Sequence, residues 1–316
     1  MATDRDGRTA APRCAIYTVA TGEYATYARI LAKSLRDQGD DTDFFAFTDG
    51  RPVPEASSCR RLPWDYRRRS KFSPERWWIK FYLLKELARE VEGYLVFMDA
   101  DMYARRPVDL SPLLTGSVSV FLEVDLRTLP PDTDWFGLTC GEVVEGLRQL
   151  GYDGPAFSLN GGLFAVHADA VPEFLDHVYR SKQIFLNEQH ALVYAVGRMN
   201  PAAPTIDDHR DLYDSNTIDP HLIPEILAGK GWDAHDWLSG KPISVDPALV
   251  HFASQKRAFC EALAPGLAPL SRRDRLAEGR ARATSRTFAK PLKALHLWRE
   301  IDRHSVPTSA RERVGA

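Results

Sequence analysis

Tyr94-Leu-Val-Phe-Met98 is an unbroken apolar run, and Asp99-Ala-Asp101 closes it. A strand that is apolar at every position is buried on both faces, as in the parallel sheets of α/β proteins, whereas a strand wet on one face alternates. Two carboxylates at i and i+2 on extended chain project to the same side, so both reach one ion while Ala100 points away. Open α/β sheets bind ligands beyond the carboxyl ends of their strands, which is where this acid pair falls. Oxygen ligands select Mg²⁺ or Mn²⁺, ions that take a few carboxylates and fill the remaining positions with phosphate oxygens. The plainer alternative is a solvated or turn-capping pair, since Asp-x-Asp also occurs by chance.

Ahead of that run the chain reads β-α-β. Arg13-Cys-Ala-Ile-Tyr-Thr-Val-Ala20 is a strand pattern, and Thr21-Gly22 turns it into a helix with Tyr27, Ile30, Leu31 and Leu35 on one face. That helix should stop near Gly39, before a second strand at Asp43-Phe-Phe-Ala-Phe-Thr48. Residues 51–72 read as a loop. Ser73-Pro74-Glu75 supplies an N-cap, an N1 proline and a dipole-matched acid, which predicts a helix from there to about Glu92 before the break at Gly93. Beyond the acids, strands are expected at 117–122, 162–166 and 249–252, and helices at 171–180 and 188–196. Alternation of this kind is the mark of an α/β fold.

The 316 residues carry 41 Lys or Arg against 43 Asp or Glu, a net charge of −2 that hides an asymmetry. Residues 271–316 hold twelve Lys or Arg and five acids, a local excess of +7 that leaves −9 on the remainder. An acidic body excludes a nucleic-acid-binding core, because phosphate contacts need a basic face there. The four cysteines are scattered, without metal-ligand spacing. The first residues are polar and no membrane-length apolar run follows. Together these place the protein in a reducing cytoplasm, in contact with membranes at most peripherally.

Ala15-Ile-Tyr-Thr-Val-Ala20 followed by Tyr24 and Tyr27, the Asp99-Ala-Asp101 strand, Asn160-Gly-Gly-Leu-Phe164, Glu188-Gln189 and His251 resemble, in this order, the family 8 glycosyltransferases and their relatives. The resemblance spans residues 13–256. It implies a GT-A fold, with a mixed, mostly parallel central sheet flanked by helices and a Rossmann-like nucleotide-binding half. It also implies a retaining transfer of a hexose from a UDP-sugar to a hydroxyl acceptor, with Mn²⁺ or Mg²⁺. Carried residue by residue, it makes Asp99, Asp101 and His251 metal ligands. Glu188 and Gln189 become the pair beneath the reacting sugar, with Glu188 in place of the usual Asp. Ala20, Thr21, Tyr24, Lys80, Asp99, Ala100, Asn160, Gly161, Gly162 and Lys256 become donor contacts. Lys256 stands five residues past His251 where the family has a Lys six past, and Ser254 replaces the usual Gly.

Alternatives remain open at several of these positions. His251 also reads as a hydrogen-bonded core histidine, Asn160-Gly161 as a type I′ hairpin turn, Glu188 as a dipole-matched helix acid, and Lys80 and Arg76 as solvated helix charges. An inverting enzyme would need a carboxylate base, for which Asp207, Asp208, Asp211 and Asp214 are candidates. A sugar nucleotidyltransferase would need a Gly-rich basic loop after the first strand, where Ala20-Thr-Gly-Glu23 offers one glycine and an acid. A catalytically silent nucleotide-sugar-binding protein is the third reading. The expected division is a flexible segment 1–12, a catalytic domain 13–265 and a basic helical extension 266–316. Residues 286–303 of the extension read either as a helix docking on the body or as a contact with an anionic membrane surface.

Overall fold

The structure is a computed structural model, and it describes residues 13–63, 77–215, 218–236, 238–253 and 255–294, without the side chains of 284–294. In chain order come β1 (Cys14–Ala20), α1 (Tyr24–Asp37), β2 (Asp43–Thr48), β3 (Ser58–Arg61), α2 (Ile79–Leu87), β4 (Tyr94–Met98), β5 (Met102–Ala104) and β6 (Val118–Asp125). A short hairpin, β7 (Asp134–Trp135) with β8 (Leu138–Thr139), leads to α3 (Cys140–Gln149), β9 (Phe157–His167), α4 (Val171–Ser181) and α5 (Glu188–Met199). Then follow β10 (Tyr213–Asp214), α6 (Ile223–Leu227), the hairpin β11 (Trp232–His235) with β12 (Pro242–Val245), β13 (Leu249–His251), α7 (Lys256–Leu263) and α8 (Arg272–Ala294).

Six strands form the central sheet in the order β3-β2-β1-β4-β9-β6. β3, β2, β1 and β4 pair in parallel, and β9 runs antiparallel between β4 and β6. This is the mixed, mostly parallel sheet expected from the sequence. The strand period of two splits the core between its faces. Tyr17, Leu95, Phe97, Val120, Phe164 and Val166 pack on one side with α2, α3, α4 and α5. Ile16, Phe44, Val96, Met98, Leu163 and Ala165 pack on the other, against Ala28, Leu31 and Leu35 of α1. Both faces of β4 are thereby buried, which is why its sequence never alternates.

A second, small sheet in the order β10-β13-β5 sits at the end of β4. β5 follows β4 after a three-residue turn, so the small sheet begins where the large one stops. β13 pairs antiparallel with β5, placing His251 opposite Met102, and parallel with β10, placing Tyr213 opposite Leu249.

Four expectations are corrected here. The 51–72 loop contains β3, a four-residue edge strand whose Arg60 pairs with Glu90; its arginines hid the strand pattern. The helix expected from Ser73 to Glu92 has its start, with Arg76, outside the described residues, and its α-helical part ends at Leu87, where turns lead to Gly93. Asn160-Gly161-Gly162 is no hairpin turn but the middle of the eleven-residue β9. The acids do not converge by strand alternation, since Ala100 and Asp101 lie in a turn closed by the Met102 N–H bonding to the Asp99 carbonyl at 3.2 Å.

Gly93 is the hinge between the α2 side and β4. Its φ is +90°, and a Cβ there would lie 2.2 Å from the Arg13 carbonyl oxygen, which accepts the Tyr94 N–H at 2.9 Å. Replacing Gly93 with Ala should therefore lower unfolding free energy by about 2 kcal/mol or more, since it combines a left-handed backbone with an unavoidable clash. Urea unfolding that finds the variant as stable as the parent would contradict this.

Candidate active site

The site is assembled by three rungs of backbone. Met98 of β4 pairs with Leu163 of β9, and one residue on the Asp99 N–H donates to the Gly162 carbonyl at 2.8 Å. The Phe252 N–H donates to the Asp101 carbonyl at 2.9 Å, extending the β13–β5 pairing. Asp99, Asp101 and His251 are thus brought together from two strand ends, and one ligand atom from each lies within 4.8 Å of the others. His251 Nε2 is 3.6 Å from Asp99 Oδ2 and 3.5 Å from Asp101 Oδ1.

Asp101 and His251 are buried, while the Asp99 side chain is 38% exposed and opens the cluster to solvent. Burial pushes the Asp99 carboxyl above the ordinary range, and the neighbouring Asp101 charge adds to this against the pull of Lys80, His251 and Lys256. Burial acts the same way on Asp101, but the His251 imidazole and Lys256 ammonium outweigh it and hold that carboxyl well below the usual range. Burial would pull His251 down; Asp101 and Asp99 overcome it and hold the ring above its ordinary value. The Lys256 ammonium stands 2.7 Å from Asp101 Oδ2 and donates to the Tyr24 hydroxyl at 3.2 Å.

Two carboxylates and one imidazole nitrogen are a donor set suited to Mn²⁺ or Mg²⁺, the imidazole favouring Mn²⁺. The surroundings fit such an ion as well. A Cβ at Gly162 would stand 2.8 Å from both Asp99 Oδ2 and His251 Cε1, so only glycine leaves the cluster room. His251 is buried on the short strand β13, and its Nε2 faces both carboxylates.

A second group meets on the opposite side of β9. The Gly161 N–H donates to Gln189 Oε1 at 2.6 Å, while the Lys80 ammonium donates to the Gly161 carbonyl at 2.8 Å and lies 3.3 Å from Glu188 Oε1. Glu188 and Gln189 open α5, whose N-cap Asn187 accepts the Gln189 N–H at 2.8 Å. Lys80, Glu188 and Gln189 are all buried, so Lys80 is no solvated helix charge. The Asn160 side chain folds back to accept the Gly162 N–H at 2.8 Å.

Thr21 and Tyr24 line the turn after β1, where the Tyr24 N–H bonds to the Thr21 carbonyl at 3.3 Å. Ala20 and Ala100 are buried in the apolar core and present no side-chain surface. Of the acids considered as an inverting base, Asp207 and Asp214 hold Arg210 and Asp208 accepts from Thr205. Ser254 lies outside the described residues.

Three residues near the site gave no signal in the sequence. Asp49, just past β2, accepts the Gly22 N–H at 3.4 Å and pairs with Arg51 at 2.8 Å, tying the β1 turn to the neighbouring strand end. Tyr213 puts its hydroxyl 3.3 Å from His251 Nδ1. Glu123 of β6 accepts from Ser215 at 2.9 Å and Ser158 at 3.3 Å. Burial, reinforced by Asp236 and Asp214 against those two hydrogen bonds, raises its carboxyl to about 7. Motif and spacing could not find them, because each acts through contacts made by distant segments.

No protein-family model matches the sequence. No curated protein matches it either. Among solved structures it is similar to the galactosyltransferase LgtC in complex with donor and acceptor sugar analogues, at 14% identity and a TM-score of 0.46, covering 83% of this chain and 99% of that one. An active-site mutant of LgtC is similar at 12% identity and a TM-score of 0.45, with 83% and 99% covered. The apo bifunctional glycosyltransferase WbbM is similar at 12% identity and a TM-score of 0.49, over 77% of this chain but only 46% of that one. The named neighbours are thus all glycosyltransferases, and likenesses at this level carry no argument about substrate.

The raised Glu123 carboxyl should make stability depend on pH. A carboxyl raised from 4.5 to about 7 leaves the folded state holding more protons than the unfolded state in that window. Stability should fall as pH rises from about 4.5 to 7, by up to roughly 1.4 kcal/mol per pH unit from this group. Glu123→Gln, which cannot ionise, should flatten that slope in thermal melts taken from about pH 5 to 7.5. Equal slopes for variant and parent would refute the assignment.

Proposed function

We propose that the chain is a metal-dependent glycosyltransferase that moves a hexose from a nucleotide diphosphate donor, a UDP-sugar, to a hydroxyl acceptor with retention of anomeric configuration. The observation that carries this reading is the convergence of Asp99, Asp101 and His251 at the carboxyl end of β4, against a glycine that leaves room beside them. Acids at that end of an α/β sheet sit where a nucleotide ligand sits. Asp99, Asp101 and His251 would hold Mn²⁺ or Mg²⁺, which when bound supplies positive charge for the departing diphosphate.

The chain's own groups supply the remainder. Lys256, beside Asp101 and Tyr24, is within reach of a phosphate on the same side and adds a second positive charge there. Thr21 and Tyr24 would receive the base at the turn after β1. Gly161 and Gly162 let the backbone approach the sugar closely, with the Asn160 amide at its hydroxyls. Gln189 and Glu188 would steady the positive charge that develops at the anomeric carbon, with the acceptor entering on the leaving-group side. Of the acids an inverting enzyme could use as a base, Asp207, Asp208 and Asp214 are engaged in other contacts, which leaves Asp211 as the candidate for that second reading.

Purified protein incubated with a panel of UDP- and GDP-sugars should release the nucleotide slowly, in a manner dependent on Mn²⁺ and abolished by a chelator. Asp101→Asn should lower that rate by about 10²-fold or more, the scale on which loss of a charge-stabilising group acts. Release that ignores both the chelator and the substitution would sink the proposal, and a protein that binds a nucleotide sugar without ever cleaving it would be the silent binder instead.

Peripheral attachment to an anionic membrane belongs to the same proposal. Residues 295–303 of the expected contact lie outside the described residues, as do the side chains of 286–294. What supports this reading is the excess of seven positive charges in residues 271–316. The first part of α8 docks through Ala281 near Gly50, beside an open cleft of about 980 Å³ whose lining mixes Arg51, Arg60, Arg61, Arg273 and Arg280 with Asp49 and Asp274. Among the described residues no helix is long and apolar enough to cross a membrane. Deleting residues 271–316 should reduce co-sedimentation with anionic vesicles and leave neutral vesicles indifferent; equal sedimentation of both forms would contradict this.

A further inference from the structure

We infer that Tyr213 is a positioning residue for the metal site: its hydroxyl accepts the Nδ1 proton of His251 and so keeps Nε2 free to face Asp99 and Asp101. This rests on the reading of those three residues as metal ligands. An imidazole ligand offers a lone pair from one ring nitrogen and carries its proton on the other, and the partner of that second nitrogen decides which is which. The surroundings of His251 suit that division once an ion is bound. Nε2 lies 3.6 Å from Asp99 Oδ2 and 3.5 Å from Asp101 Oδ1, and Nδ1 lies 3.3 Å from the Tyr213 hydroxyl.

The placement of Tyr213 follows from the small sheet. β10 pairs in parallel with β13, setting Tyr213 opposite Leu249, two residues before His251. The ring is 1% exposed and lies against Phe121, with centroids 5.9 Å apart and planes 24° apart. The same 24° relates it to the His251 ring at 6.5 Å, so phenol and imidazole lie in nearly parallel planes. A buried hydroxyl seeks a partner, and among the described contacts His251 is the one its oxygen makes. Without that oxygen a proton on Nδ1 would be buried with no acceptor, and moving it to Nε2, beside two carboxylates, would relieve the ring. That move blocks the ligand atom. Tyr213 therefore acts on the ion without touching it, and a phenylalanine of equal shape would preserve the packing while losing the effect.

The test uses the full-length protein and Mn²⁺ alone, followed by the electron paramagnetic resonance signal of the free ion. Tyr213→Phe should weaken Mn²⁺ binding by about tenfold or more, the scale of lost outer-shell partners, with its melting temperature close to the parent's. A second measurement needs no variant at Tyr213. In ¹⁵N-histidine-labelled protein saturated with Mg²⁺, the His251 resonances, assigned by their loss in His251→Gln, should report the proton on Nδ1. Folded Tyr213→Phe that binds Mn²⁺ to within about twofold of the parent overturns the inference and leaves the metal site standing, whereas a His251 proton found on Nε2 in the Mg²⁺-saturated protein overturns the inference and removes His251 from the ligand set. A parent protein that binds Mn²⁺ no better than Asp101→Asn overturns the site and the inference together.

Discussion

The hydrogen bond from the Asp99 N–H to the Gly162 carbonyl sets where the first of the site's two acids stands. It fixes the end of β4 against an antiparallel strand that has glycine at the facing position. With any larger residue there, Asp99 Oδ2 and the His251 ring would have to move apart. Two carboxylates held this near each other repel. Unit charges about 4 Å apart in an effective dielectric near 20 interact by roughly 4 kcal/mol, more than one hydrogen bond returns. The arrangement persists only because positive groups sit among the acids. His251 and Lys256 supply them, one from β13 and one from the first residue of α7. Asp99, the more exposed of the two acids, is where this cluster opens to solvent.

The sheet was legible from the chain because its signals are local. β4 is apolar throughout since both its faces are covered, and α1 shows its stripe because one face meets the sheet. The order of β1, α1, β2 and β4 followed from that alone. β3 was not legible: Arg60 and Arg61 lie on an edge strand where charged side chains are tolerated and strand pattern is weak. Nor was the length of β9, because Asn160-Gly161-Gly162 carries strong turn chemistry that long-range pairing overrides. Nothing in the residues themselves says that Gln189 will take one end of the Gly161 peptide and Lys80 the other.

Around Asp99 the structure brings together residues that the sequence singled out, by a geometry that the sequence did not show. Asp99 and Asp101 announced themselves by position after a buried strand, yet they converge through a turn rather than along extended chain. His251 and Lys256 entered only through resemblance, since a histidine on a short strand and a lysine at a helix start are common. Their partnership with Asp101 depends on β13 crossing back to β5 from about 150 residues along the chain, a closure that periodicity does not encode. Tyr213 and Glu123 belong to the same category and were silent for the same reason.

The buried pair of Lys80 and Glu188 bears on how the backbone beside the acid cluster is held. Bringing two charges out of water is rarely repaid by their attraction, and apolar residues of similar volume commonly serve stability as well or better. Stability is thus a poor reason for finding an ammonium and a carboxylate 3.3 Å apart in the core. Position is a better one. Lys80 reaches the Gly161 carbonyl as well as Glu188, Gln189 takes the Gly161 N–H, and Glu188 and Gln189 open a helix whose N-terminal dipole favours the acid. The peptide of Gly161 is therefore gripped at both its polar groups by side chains from two helices. One residue on, Gly162 faces the acid cluster on the other side of the strand. Holding that backbone still holds the gap beside Asp99 open, so the ion pair on one face of β9 and the acid cluster on the other are mechanically linked through one strand.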